Sequence, residues 1–242
     1  MTTIRYRAAL ALATAFVVTA CMSADDDERG QPTGESFAEH MHGHKVHVDA
    51  IKAGVIAGDL GATREHAIWL SEHDEPPGMP DGWAPYVKEM RQYAAVAAAA
   101  RDLERVAVAV SEIARTCGEC HRTNGANLRL AEVPRPPADA KGVSAQMHRH
   151  LWAADRMWDS LLGPEEGFWT DATDLLATVD LAPEELSSDP ATQERVAELL
   201  RRARSLGEQG AQTAAGPARS ELLGQFLSLC ASCHSLTGGG PG

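Results

Sequence analysis

The chain has 242 residues, 44% of them hydrophobic and 5% aromatic, with a formal charge of -12 at pH 7. That length suffices for one large or two small domains, and so negative a surface argues against nucleic acid and anionic lipid as partners. Ala, Leu and Glu abound and no stretch alternates as a half-buried strand would, so the predicted class is all-α.

Residues 1–20 carry Arg5 and Arg7, an apolar run from Ala8 to Val18, and Thr19-Ala20 before Cys21. A basic start, a short apolar stretch and small residues before a cut site describe an export signal peptide. Val18-Thr19-Ala20-Cys21 resembles the lipobox of bacterial lipoproteins. That resemblance implies that Cys21 is acylated and becomes the mature N-terminus; the alternative is an ordinary signal peptide with an incidental cysteine. Removing residues 1–20 takes away two arginines and no acid, moving the charge from -12 to -14. Met22 stands where an inner-membrane lipoprotein carries aspartate, which favours the outer membrane. Residues 21–36 hold Asp25-Asp26-Asp27-Glu28, Gly30, Pro32 and Gly34, the composition of a flexible tether.

Helices are then predicted from about Phe37 to Leu60 and from Ala62 to His73, before Pro76-Pro77-Gly78-Met79-Pro80 forces a loop. A third runs from Trp83 to Ala100. A fourth starts after Asp102 as N-cap and stops at Asn124-Gly125. Residues 131–142, with Val133-Pro134-Arg135-Pro136-Pro137, form a stiff linker. The plan then repeats, with helices from Val143 to Leu162, Pro164 to Val179, Ala191 to Gln212, and from Gly216-Pro217 to His234. Residues 237–242 read as a loose tail.

Near the end of the last helix of each half stands the same pattern: Cys117-Gly118-Glu119-Cys120-His121, and Cys230-Ala231-Ser232-Cys233-His234. C-x-x-C-H is the attachment pattern of c-type haem. On one helical turn, Cys117 and Cys120, or Cys230 and Cys233, can bond the two vinyl groups. His121 or His234 then reaches the iron as the proximal ligand. Two covalently bound haem c groups are therefore expected. Of five cysteines, only Cys21 lies outside the motifs, so none remains for a disulfide between the motifs and elsewhere. Zinc binding or a disulfide within each C-x-x-C is the non-haem alternative, but no fourth zinc ligand is evident just after either motif. The chain resembles a c-type dihaem cytochrome. Its helix order and motif position resemble the cytochrome c′ and cytochrome c556 families, which implies two tandem antiparallel four-helix bundles, 37–130 and 143–236, each with haem on its last helix.

A second repeat sits on the first helix of each half, where Met41-His42-Gly43-His44 returns as Met147-His148-Arg149-His150. Phe37, Met41, His44, Val48, Ile51 and Val55 share one helical stripe, as do Val143, Met147, His150, Ala154, Met157 and Leu161. Met41 and His44 lie about 60° apart on that stripe, while His42 lies about 200° from His44. Histidine on an apolar stripe wants a partner. His44 and His150 are therefore candidates for the sixth, distal position on each iron. Met41 and Met147 are the other candidates, because the c556-like families use a helix-one Met; cytochromes c′ leave that position open. His40, His44 and His47 have the spacing of a surface metal site, yet they read as a solvated cluster. Trp69, Trp83, Trp152, Trp158 and Trp169 are expected to fill cores.

The resemblance implies a lipid-anchored, periplasmic carrier of single electrons between redox proteins, not an enzyme. Its acidic surface is compatible with a basic redox partner, and membrane contact comes through the lipid alone. With an open iron, the same architecture would instead bind small gases such as nitric oxide or carbon monoxide. A peroxidase would need distal acid–base groups, and His42 and His148 are on the wrong face.

Overall fold

The computed structural model describes residues 36–126, 128, 130–163 and 165–240. The signal segment 1–20, Cys21, and the tether up to residue 35 lie outside them, as do residues 241–242. Among the described residues the fold is all-α, with no strand: α1 Phe37–Ala57, α2 Leu60–Glu72, α3 Ala84–Ala99, α4 Leu103–Asn124, α5 Val143–Leu162, α6 Glu166–Ala177, α7 Pro190–Gly210 and α8 Pro217–Thr237. None is long and apolar enough to cross a membrane.

Local chemistry sets the ends of these helices. Ser36, placed in the tether by sequence, caps α1: its Oγ accepts from the Glu39 N–H while Glu39 accepts from the Ser36 N–H at 2.9 Å. The α1–α2 break falls earlier than expected because Gly58 adopts φ +79° and Asp59 then caps α2. Asp102 caps α4 and Gly125 closes it, as expected. Pro190, read as part of a break, starts α7 behind the Asp189 cap.

The elements pack in the same order twice. α1 contacts α2 and α4, α2 contacts α3, and α3 contacts α4; α5 contacts α6 and α8, α6 contacts α7, and α7 contacts α8. The halves meet through the two motif-bearing helices, α4 against α8, with α1 also touching α8 and α5 touching α4. Ser220 donates to Glu112 at 2.6 Å, and Gly224 abuts Ala107 and Val108 so closely that a Cβ there would lie 3.1 Å from the Val108 Cα. Moving forward along α8 is thus moving backward along α4, so the two run antiparallel.

The contacts are reciprocal. Lys52 on α1 reaches Asp155 on α5 at 2.8 Å, while Trp158 on α5 donates to Asp49 on α1 at 3.1 Å. The offset that turns Met41 into Met147 also turns Asp49 into Asp155 and Lys52 into Trp158. The halves therefore face each other about a pseudo-twofold axis.

The linker is held rather than merely stiff. Arg149 donates to the Ala138 carbonyl at 2.9 Å, Trp152 to that of Val133 at 3.1 Å, and Arg156 to that of Ala131 at 2.9 Å. These three donors lie on one face of α5, where they satisfy carbonyls of a segment too rich in proline to pair with itself. Arg149 and Arg156 are only 5% exposed, a burial their charge did not announce.

Candidate functional site

All four motif cysteines are half-buried free thiols. Burial, with a smaller contribution from the neighbouring cysteine, pushes the Cys117 and Cys230 thiols up to about 12. Burial raises Cys120 and Cys233 as well. The motifs lie in the last turns of α4 and α8, so each cysteine pair shares a helical face.

Each motif histidine is held by the opposite half. The Nδ1 of His121 is 2.9 Å from the carbonyl oxygen of Leu162, at the end of α5. The Nδ1 of His234 is 2.5 Å from the carbonyl oxygen of Ile56, in the last turn of α1. Ile56 and Leu162 are repeat equivalents by the offset that relates Met41 to Met147. Both carbonyls lie at a helix C-terminus, where backbone acceptors lack intrahelical partners. A carbonyl can only accept, so each imidazole carries its proton on Nδ1 and leaves the Nε2 lone pair for a metal. Sequence reading missed these carbonyls, because a backbone acceptor leaves no mark in a motif.

Close approach makes the first of these bonds possible. Gly118, inside the motif, lies against the end of α5: a Cβ there would overlap the Leu161 carbonyl and stand 2.9 Å from its carbon. Around the second bond, Gly240 packs against the His234 ring and the Ala57 carbonyl, where a Cβ would sit 3.5 Å from each. The segment read as a loose tail is therefore seated here up to Gly240.

In the second half the sequence-predicted residues converge. A cavity of about 310 Å³ is lined by Cys230, Cys233 and His234 from α8, by Met147 and His150 from α5, and by Leu199, Leu200, Ala203 and Phe226. The His150 Nε2 is shielded from solvent without a hydrogen-bond partner. Burial, and secondarily the charges of His234 and Arg149, lower the His150 pKa from 6.5 to about 4, keeping the ring neutral.

The first half differs. His44 is buried as the stripe requires, but its ring neighbours are His40 at 4.3 Å, His73 at 5.6 Å and Trp69 at 6.0 Å between centroids. Burial, followed by the nearby His40, lowers the His44 pKa to about 3. Met41 is half-buried on the same helix and His42 is exposed. The expected solvated cluster is corrected on two counts. His40 is 1% exposed rather than solvated. Its group is completed by His73 from the end of α2, while His47 pairs with His66 at 3.0 Å. Helical spacing could find only partners on the same helix. Of the tryptophans, Trp152, Trp158 and Trp169 are buried core, as expected, and Trp69 belongs to the histidine cluster.

No protein-family model, no curated protein and no solved structure matches this chain.

Proposed function

We propose that the protein is a dihaem c-type cytochrome that carries single electrons in the periplasm, built from two four-helix haem units, α1–α4 and α5–α8. The observation that carries this reading is the reciprocal pair of hydrogen bonds, His121 to Leu162 and His234 to Ile56. A motif histidine with Nδ1 tied to a backbone acceptor is the usual arrangement of a metal-ligating imidazole. The apolar cavity beside Cys230, Cys233 and His234, with the orphaned Nε2 of His150 in its wall, fits a covalently held haem with a second axial ligand. Bound haem would supply a one-electron iron couple whose potential is tuned by axial ligands and burial.

The chain's own residues do the rest. Cys117, Cys120, Cys230 and Cys233 hold the two macrocycles through thioethers. His121 and His234 take the proximal positions. His150 closes the second iron, with Met147 half-buried one turn away. In the first half His44 faces His40 and His73, which leaves Met41 as the sixth ligand there. Filled axial positions exclude substrate and favour electron transfer over gas binding. The antiparallel α4–α8 contact centres near Val108–Glu112 and Ser220–Gly224. At 1.5 Å per residue, the two motifs then lie on the order of 25 Å apart along the helices, at opposite ends. The export signal and Cys21 lipidation would tether this unit to a membrane, the outer one favoured, with a redox protein as partner.

Expression with a haem-maturation system tests the reading. Intact mass should show two covalent haems, and the double variant C117A/C120A should retain one. Replacing His150 should convert about half of the low-spin absorbance to high spin, and replacing Met41 the other half. A chain that matures without covalent haem would overturn the proposal. A high-spin spectrum in the unaltered chain that shifts on exposure to nitric oxide or carbon monoxide would favour the gas-binding alternative.

A further inference from the structure

We propose that His40, His44 and His73 form a binding site for a divalent transition metal ion of the zinc class, distinct from both C-x-x-C-H motifs. One ligand nitrogen from each ring lies within 4.8 Å of the other two. His40 and His44 are one turn apart on α1 and point to the same side, and His73 approaches from the C-cap of α2. The Nε2 of His73 is 3.3 Å from the Nδ1 of His40. Two nitrogens bound to one tetrahedral zinc, each at about 2.0–2.1 Å, stand about 3.3–3.4 Å apart. That pair therefore already has the separation of a tetrahedron's edge, and a nitrogen of His44 lies within 4.8 Å of both.

The surroundings hold the rings in place. The Trp69 indole is sandwiched between His73, at 3.9 Å and 19°, and His47, at 3.7 Å and 3°. Arg91 donates to the His73 carbonyl and pairs with Glu75 at 3.3 Å, fixing the chain where α2 ends. His40 and His44 are only 1% and 6% exposed. Imidazoles suit zinc, copper and nickel, and three of them leave a fourth position for water, as in an open zinc site. The site is private to the first half. By the repeat offset Gln146 stands where His40 does, and its side-chain amide is turned to the Ala140 carbonyl at 3.4 Å. The same neighbours set His44 apart from its repeat equivalent His150, which lines the cavity beside His234.

The test is zinc content per chain. The full-length protein, haem included, is stripped with chelator, loaded with zinc chloride, dialysed and measured by elemental mass spectrometry, with affinity from calorimetry. The expected result is one tightly held zinc in the unaltered chain and in the H42Q control, whose histidine is exposed on α1. H73Q should weaken binding by more than the roughly 10–100-fold that follows loss of an outer-shell partner. H40Q should do the same, and circular dichroism checks that each variant remains folded. Retention of zinc by a folded H73Q, or none held by the unaltered chain, would overturn the site. Haem iron is counted separately. A haem-free chain whose zinc is retained in C117A/C120A/C230A/C233A and lost in H73Q supports this site while sinking the cytochrome reading, and a dihaem chain without zinc does the reverse.

Discussion

Gly118→Ala places a single methyl group where α4 and α5 touch. The added carbon would overlap the Leu161 carbonyl oxygen, stand 2.9 Å from its carbon and lie 3.4 Å from the Leu162 oxygen. These neighbours are backbone, so no side chain can rotate away and the helices themselves must part. Overpacking of this kind destabilises by about 1–3 kcal/mol. The separation also stretches the His121–Leu162 hydrogen bond, now 2.9 Å, at a further cost of about 1 kcal/mol. A loss of roughly 2–4 kcal/mol corresponds to about 4–16 °C in Tm for a chain of this size. Thermal unfolding followed by far-ultraviolet circular dichroism reads it. Gly167→Ala is the matched control, because nothing lies within 4 Å of a Cβ there and the exchange should be neutral or stabilising by up to about 1 kcal/mol. Equal Tm values for the two variants would refute the close approach of α4 and α5. The hold of one half on the other's motif histidine would go with it.

Arg156→Ala removes the donor to Ala131 and the partner of the half-buried Asp159. It should cost about 3 kcal/mol in urea unfolding, whereas Arg201→Ala, at an exposed pair, should change stability by less than about 1 kcal/mol. His150 has a folded-state pKa of about 4 against 6.5 unfolded, so the unfolded chain binds the extra proton. Its contribution to stability is therefore complete above pH 6.5 and is lost as pH falls toward 4. His150→Phe should reduce the fall in stability over that window, leaving the part due to His44, and an unchanged slope would show that the ring is not buried as described.

Both motifs were legible as patterns because their spacing is local: Cys117, Cys120 and His121 share a turn of α4 wherever the helix goes. The core stripes were legible for the same reason, as Val48, Ile51, Val55, Ala154 and Met157 are all buried. Phe37, at the head of the first stripe, is 37% exposed, since a stripe says nothing of where its partner helices end. The breaks at Gly58 and Pro190 were displaced by a few residues because caps compete locally and packing selects among them. Buried Arg149 and Arg156 were invisible, since only the folded linker supplies the carbonyls that justify their burial.

By itself, then, the sequence determined a helical chain with two haem-attachment patterns, a repeated Met-His-x-His and an acidic charge, because each is a property of composition or of one helical turn. Tertiary structure decided which atoms meet across long separations. It set α4 antiparallel to α8, brought Ile56 to His234 and Leu162 to His121, and gathered His40, His44 and His73 from two helices. It also separated the fates of two histidines that the repeat makes equivalent. His150 lines an apolar cavity beside His234, while His44 has His73 for a neighbour, because α2 ends in a histidine and the corresponding part of the second half does not.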